Sequence, residues 1–513
     1  MKDPANFFGP LPWRSIFIAC ILIGLFIRVH GILVMKQGLS MDESVSYLCA
    51  SATEGRFNKE DLLRTDTILP AGFLKEYYAT PAELRFRTVA HDLVHHDIHP
   101  PLYFWALHVI QWWQGFGIRN GAWLNFALTL CMLLVLYAFA RQAFASTQLA
   151  WAVCAIWILS PAVVHIDLEA RHYQLLGLLS LCHAFLLLKL LNDPRSLLLN
   201  ILFAVVNTAG LLTHYYFGFL MVPGALLLFL RHGFSVPAIW LSFLASCSLF
   251  VALFPEVLDF PGLYLSKRVG QSGPLNVADR ARTFFYYGLE FFSHWRILRY
   301  GIFLLVMGVL IVHRRAIISR TRDILGTPIT GPGLVLILLI AWSGFTLAVY
   351  LAGISPRFAA GEQYLSYLWP LLAMLLVYFA LIAIPRKWRQ LPALAFLVQL
   401  AIACSFAVQN SRYVEEFIPQ EHYAAINGSD LLILGLRDRA ELPRAAIGLR
   451  PDLEVLIPLK HRPTPDIVAV RPALLLHADD TLAARIWMRY FPQIDQRPVS
   501  GGNKHLVLFT SQP

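Results

Sequence analysis

The sequence predicts a polytopic α-helical membrane protein. About 11 transmembrane helices are expected, with a large first outer loop carrying surface-lying helices, and a small C-terminal α/β soluble domain. Three observations carry this reading. Of the 513 residues, 57% are hydrophobic and 14% charged, where a soluble chain averages about 25% charged. Apolar runs of about 18 to 20 residues, enough to cross a hydrocarbon core of about 30 Å, recur between Ser15 and Gln409. The lysines and arginines gather on alternate connections, as the positive-inside rule requires.

The first run, Ser15 to Met35, is longer than a signal-peptide core and lacks a small-residue cleavage site, so it is expected to stay as the first span. The remaining expected spans are 122–140, 149–166, 174–191, 197–213, 215–230, 236–256, 299–313, 333–353, 364–384 and 391–409. Segment 100–114 is too short to span at about 1.5 Å per residue. Its His108, Gln111 and Gln114 form a wet stripe opposite Trp105, Val109 and Trp112, the pattern of a helix lying in the interface.

Charge supports that choice. With 100–114 lying flat and the N-terminus inside, Arg141, Arg231, "HRRAIISRTRD" and "PRKWRQ" all fall inside, and the short outer loops hold only Arg171 and Arg357. Counting 100–114 as a span would export the basic stretches. The resulting plan is a membrane domain over 1–409, with a first outer loop from Lys36 to Gly121 and a second from Val257 to Leu298. A C-terminal domain over 410–513 follows, outside. In it "DLLILGL", "LEVLIPL", "PALLLHA" and "HLVLFT" read as strands and "DDTLAARIWMRYF" as a helix.

The formal charge of +10 is spent on inside loops, which points to orientation and anionic lipid and not to nucleic acid. Seven cysteines, all but Cys49 in apolar runs and none in a CxxC pair, give neither a disulfide framework nor a zinc signature. No P-loop or dinucleotide fingerprint is present, so no nucleotide-sugar donor is expected.

The costly polar groups collect at outer span ends. "MDESVSY" carries Asp42 and Glu43 after the first span, and "HHDIHPP" (His95, His96, Asp97, His99) precedes the flat helix. "HIDLEARHYQ" follows with His165, Asp167, Glu169, Arg171, His172 and Tyr173, then "THYYFG" with His214 and Tyr215. "SKRVGQSG" brings Lys267 and Arg268, and "SPRFAAGEQY" brings Arg357 and Glu362. Charges at membrane depth are expensive and mark pathways or sites. Each motif also has a plain alternative. Asp42 and Glu43 could cap a helix, the His95–His99 cluster could be a solvated loop edge, and Glu169 with Arg171 could be a local ion pair worth under about 1 kcal/mol. His214 could sit at the interface, and Arg28 could snorkel. Those alternatives do not foresee so many such groups on one face.

The ordered set of a first span, Asp-Glu, Asp-x-His-Pro-Pro-Leu-Tyr, Glu-Ala-Arg-x-Tyr and Thr-His-Tyr resembles the GT-C glycosyltransferases. Within them it resembles the dolichyl-phosphate-mannose–protein mannosyltransferase family (glycosyltransferase family 39) and its bacterial relatives, the lipid A aminoarabinose transferases among them. The motifs cover roughly the first 230 residues, and the rest resembles the family in topology. The resemblance implies a transferase that moves one sugar from a polyprenyl-phosphate donor to an acceptor hydroxyl outside the cytoplasm, with Asp42 as the catalytic candidate and the His-Pro-Pro stretch shaping the donor cavity. Where relatives often read Arg-Tyr before a late span, this chain has Gln363-Tyr364, and Arg357 is the candidate substitute cation.

On that footing Asp42 is expected as general base on the acceptor, inverting the anomeric carbon, with Glu43 as its catalytic partner, orienting the acceptor or holding Asp42 in place. Arg171 is the first candidate to grip the donor phosphate, with Asp97, His99, Tyr173, His214, Tyr215, Lys267 and Arg357 as further substrate-binding candidates. A divalent metal ion among Asp42, Glu43, His95 and His99 is a side expectation, with Asp97 nearby. Expected partners are the donor lipid, the bilayer and an acceptor glycan, lipid or protein, at a bacterial inner membrane with the C-terminal domain periplasmic. The alternatives are a transporter or flippase of lipid-linked glycans, which would want polar residues at the bilayer midplane, and a glycan-binding membrane scaffold.

Overall fold

The structure, a computed structural model, describes residues 12–59, 68–97, 99–259, 277–293, 331–351, 362–383, 426–428, 431–435, 441–456, 473–478, 495–499 and 504–510, with a few single positions between them. The chain divides into two compact units, each drawing on separated stretches of sequence. One takes Met1–Met35, Ile98–Tyr103 and Gly121–Tyr413, and the other takes Lys36–Asp97, Phe104–Asn120 and Val414–Pro513. The boundary expected at 409 and 410 follows chain order, whereas the second unit joins the first long loop to the C-terminal segment.

The first unit is a bundle of apolar helices. Trp13–Met35, Asn120–Phe144, Tyr173–Asn192 and Gly331–Ala348 are each long and apolar enough to cross a membrane, and Leu197–Leu211, Tyr216–His232, Pro237–Leu253 and Trp369–Ala380 are shorter apolar helices. The expected segments 299–313 and 391–409 fall almost entirely outside the described residues. The expected span 149–166 is not one rod. It is two helices, Thr147–Ile158 and Pro161–Leu168, bent by 62°. Pro161 forces the break, because it cannot donate into the preceding turn, and Ser160 before it is extended (φ −66°, ψ 126°).

Helix α1 (Trp13–His30) packs against this broken pair through Gly24, where an added Cβ would come within 2.8 Å of Ile158 Cγ1. That close approach lets Arg28 Nη1 donate to both Gly24 O (2.9 Å) and Ile158 O (2.7 Å). Arg28 Nε donates to the Asp167 carboxylate, and both side chains are buried. Asp167 Oδ1 also accepts from Thr129 Oγ1 (2.7 Å), which in turn accepts from Gln174 Nε2 (2.8 Å). Arg28 therefore does not snorkel to the surface. It is a buried tie between α1 and the second half of the broken pair.

The second unit holds a six-stranded sheet of β1 (Ile68–Pro70), β2 (Leu431–Gly435), β3 (Glu454–Leu456), β4 (Ala473–Ala478), β5 (Asp495–Val499) and β6 (Lys504–Thr510), in the order β1-β3-β2-β4-β6-β5. The central pairings β2/β3 and β2/β4 are parallel and the outer ones antiparallel. The four strands expected from sequence are present as β2, β3, β4 and β6, and the helix expected at "DDTLAARIWMRYF" lies outside the described residues. Strand β1 comes from the first long loop and pairs Leu69 with Val455. Ala71 N–H donates to Leu453 O and Gly72 N–H to Pro451 O, each at 2.8 Å, which knits loop and C-terminal segment together. Both strands that contain proline, β1 and β5, are edge strands, where a missing N–H costs no ladder bond.

Candidate functional site

In the second unit, Met41–Ala50 forms helix α2, and its start is a complete capping box. Ser40 is the N-cap, at φ −67° and ψ 168°, and its Oγ accepts from Glu43 N–H at 3.1 Å. Glu43 Oε2 accepts from Ser40 N–H at 2.8 Å and Oε1 from Lys36 Nζ at 2.5 Å. The cap is Ser40 and not Asp42, because a Ser three residues before a Glu satisfies two helix-end donors reciprocally. Glu43 and Lys36 are buried, while Asp42 on the same first turn is exposed. Of the two carboxylates, one is committed to holding the helix start and the other faces outward.

The rest of the unit supports that turn. Ser44 Oγ lies 2.7 Å from Tyr78 Oη, and Arg444, from the short helix Glu441–Ala446, donates to Leu39 O just before the cap. Burial pushes the Tyr78 hydroxyl far above its usual range, with the Ser44 bond and the Arg444 charge opposing. Replacing Ser40 by alanine should remove the cap and cost about 0.5–2 kcal/mol, read as a lower thermal midpoint of the purified protein.

Helix Leu102–Gln114 corrects the expected wet stripe. His108 and Gln111 are buried, and Val109, Trp112 and Trp113 are exposed, while Gln114 is exposed too. His108 Nδ1 lies 2.6 Å from Ala50 O and its Nε2 accepts from Arg85 N–H at 3.0 Å. That pairing requires the neutral ring with its proton on Nδ1, and burial lowers the His108 pKa accordingly. His108 thus satisfies backbone groups of the protein, and the tryptophan face is turned outward. His95 is exposed and stacked on His91 at 4.1 Å, His96 packs on Phe57, and Asp97 is half-buried at the end of the turn Leu93–Asp97.

In the first unit three turns meet. The prolines Pro100 and Pro101 precede the helix that opens at Leu102, whose N–H donates to Leu212 O at 2.9 Å. This brings His99 beside His214 of the "THYYFG" turn. The "EARHY" turn follows the broken pair, held by Asn125 Nδ2 on Glu169 O (2.5 Å) and Ile166 O (3.3 Å) and by Asp167 on Arg28 and Thr129. It places His172 with its ring centroid 4.4 Å from His99 and 4.9 Å from His214, while His99 and His214 are 5.6 Å apart. Arg171 and His214 are buried, as is His172. Burial, then His99, His214 and Arg171, hold the His172 pKa well below the imidazole range, so this ring is neutral. Tyr173 meets Tyr364 edge-on at 5.3 Å, and burial raises the Tyr215 hydroxyl.

Of the expected substrate-binding residues, His99, Arg171, Tyr173, His214 and Tyr215 therefore belong to neighbouring turns of one unit. Lys267 and Arg357 lie outside the described residues. The expected metal grouping of Asp42, Glu43, His95 and His99 draws on both units. Among the described residues, the group within ligating distance is His99, His172 and His214. His172 stands among the polar groups of the sequence reading but not among its site candidates. Its signal was the variable position of Glu-Ala-Arg-x-Tyr, which a pattern leaves blank.

No family model and no curated protein matches the sequence. Among solved structures, ArnT from Cupriavidus metallidurans bound to undecaprenyl phosphate aligns with a TM-score of 0.52 at 13% identity, covering 97% of this chain and 98% of that one. The same protein in the apo state aligns with a TM-score of 0.51 at 12% identity, over 97% of each chain. The chain shares the fold of ArnT along nearly its whole length.

Proposed function

We propose that this protein is an integral membrane glycosyltransferase that takes one sugar from a polyprenyl-phosphate donor and places it on an acceptor hydroxyl at the extracytoplasmic face. The observation that carries the proposal is the end-to-end likeness in fold to an undecaprenyl-phosphate-bound ArnT, in a chain that also bears the ordered Asp-Glu, His-Pro-Pro, Glu-Ala-Arg and Thr-His-Tyr motifs.

The chemistry follows from the residues. Asp42, exposed on a turn that the Ser40–Glu43 box and Lys36 hold still, is the general base that takes the acceptor proton as the hydroxyl attacks the anomeric carbon. In-line attack inverts that carbon and breaks its bond to phosphate, which leaves with the bond electrons. Phosphate is already a good leaving group, so the demand on the protein is a cation to meet its charge. Arg171 supplies it, since a guanidinium matches two phosphate oxygens at once. Glu43, with both oxygens engaged by Ser40 and Lys36, positions the turn and does not touch the acceptor. A greasy donor tail also explains why the polar turns sit at helix ends, where tail and headgroup part.

The test uses undecaprenyl phosphate alone. Its addition in excess should raise the thermal midpoint of the wild type, by mass action on the folded state, and should shift Arg171→Ala much less. An equal shift in both would remove Arg171 from the phosphate site. No shift in either would remove the donor class.

A further inference from the structure

We propose that the imidazoles of His99, His172 and His214 form a binding site for one divalent transition-metal ion of the zinc type. The placement carries the argument. One nitrogen from each ring lies within 4.8 Å of the other two. Zinc binds imidazole nitrogen at about 2.0–2.1 Å, which puts each ring centre about 3.2 Å from the metal and tetrahedral neighbours about 5 Å apart. The observed centroid separations of 4.4, 4.9 and 5.6 Å bracket that value.

The three rings come from three turns far apart in sequence, and the Leu102 N–H bond to Leu212 O joins two of them. The fold therefore brings the rings together before any ion binds.

Ligand type selects the ion. Imidazole suits zinc, copper, nickel and cobalt, whereas calcium and magnesium take oxygen ligands. Three ligands leave the fourth tetrahedral position for water or an anion. His214 Nδ1 accepts from Tyr216 N–H at 3.0 Å, so this ring must release that bond, or move its proton, to ligate, which weakens it as a ligand.

The test of the site needs no donor. Full-length protein in detergent is stripped with a chelator and titrated with Co²⁺ alone, which reports nitrogen ligation by its visible d–d absorption. The wild type should take up one equivalent. His99→Ala and His172→Ala should each weaken uptake by at least about 10–100-fold, more than even loss of an outer-shell partner does, and His214→Ala by less. Asp42→Asn and His95→Ala should titrate as the wild type. His99 is half-buried in a turn, so His99→Ala decides the matter should His172→Ala fail to fold. Absence of saturable uptake by the wild type overturns the site, as does uptake unchanged in His99→Ala. Loss of uptake in Asp42→Asn or His95→Ala moves the metal elsewhere and overturns it equally.

Discussion

Asp167→Leu should destabilise the folded protein by about 3–5 kcal/mol, the typical cost of breaking a buried ion pair from one side. Arg28 is fully buried. Two carbonyls, Gly24 O and Ile158 O, share its Nη1, and Asp167 is the counter-charge on Nε. Removing the carboxylate also removes one of the hydrogen bonds of Thr129 Oγ1 and loosens the Glu-Ala-Arg turn that follows. The double change Arg28→Met with Asp167→Leu should recover most of the loss, because a matched apolar pair leaves no uncompensated charge. Thermal unfolding of the wild type, both single variants and the double variant measures the coupling. A loss below about 1 kcal/mol in Asp167→Leu would show the pair to be solvated and the tie unimportant.

Asp42→Asn should behave in the opposite way, costing activity and almost no stability. The side chain is exposed, and surface changes of this kind usually move stability by no more than about 0.5 kcal/mol. Asparagine cannot take the acceptor proton, so transfer should fall on the order of 10²–10⁴-fold, the range for a single general base. The neighbouring Glu43→Gln is the control. It leaves Lys36 buried without its counter-charge, so its defect should appear first in the thermal midpoint. Wild-type turnover by a folded Asp42→Asn protein would end Asp42's candidacy.

How much of this was legible follows from the kind of signal each feature leaves. Long apolar helices announce themselves by composition, and so did the spans at 174–191 and 333–353. Short structure did not. β1 is three residues, "ILP", that become a strand only because β3 offers an edge 386 residues later. The break in 149–166 was legible in Pro161 but lost in a run of high hydropathy. The face of helix Leu102–Gln114 was read with the right periodicity and the wrong surroundings: its stripe of His108 and Gln111 is polar because it meets polar groups of the protein, not water. At the candidate site, chemistry-bearing residues were visible one by one, and their grouping was not. Nothing in the spacing of His99, His172 and His214 says that three turns meet. Likewise Ser40, one residue outside the quoted motif, carries the cap that divides the labour between Asp42 and Glu43.

The measurement that bears most directly on the central claim is native mass spectrometry of the wild type and Asp42→Asn, each incubated with a bacterial membrane lipid extract. A polyprenyl-phosphate-linked sugar should ride on the protein and accumulate on Asp42→Asn, which binds the donor but does not discharge it, and the adduct mass would give the class of sugar. Absence of any polyprenyl-phosphate adduct from both proteins would contradict the account, and the transferase reading would lose its donor.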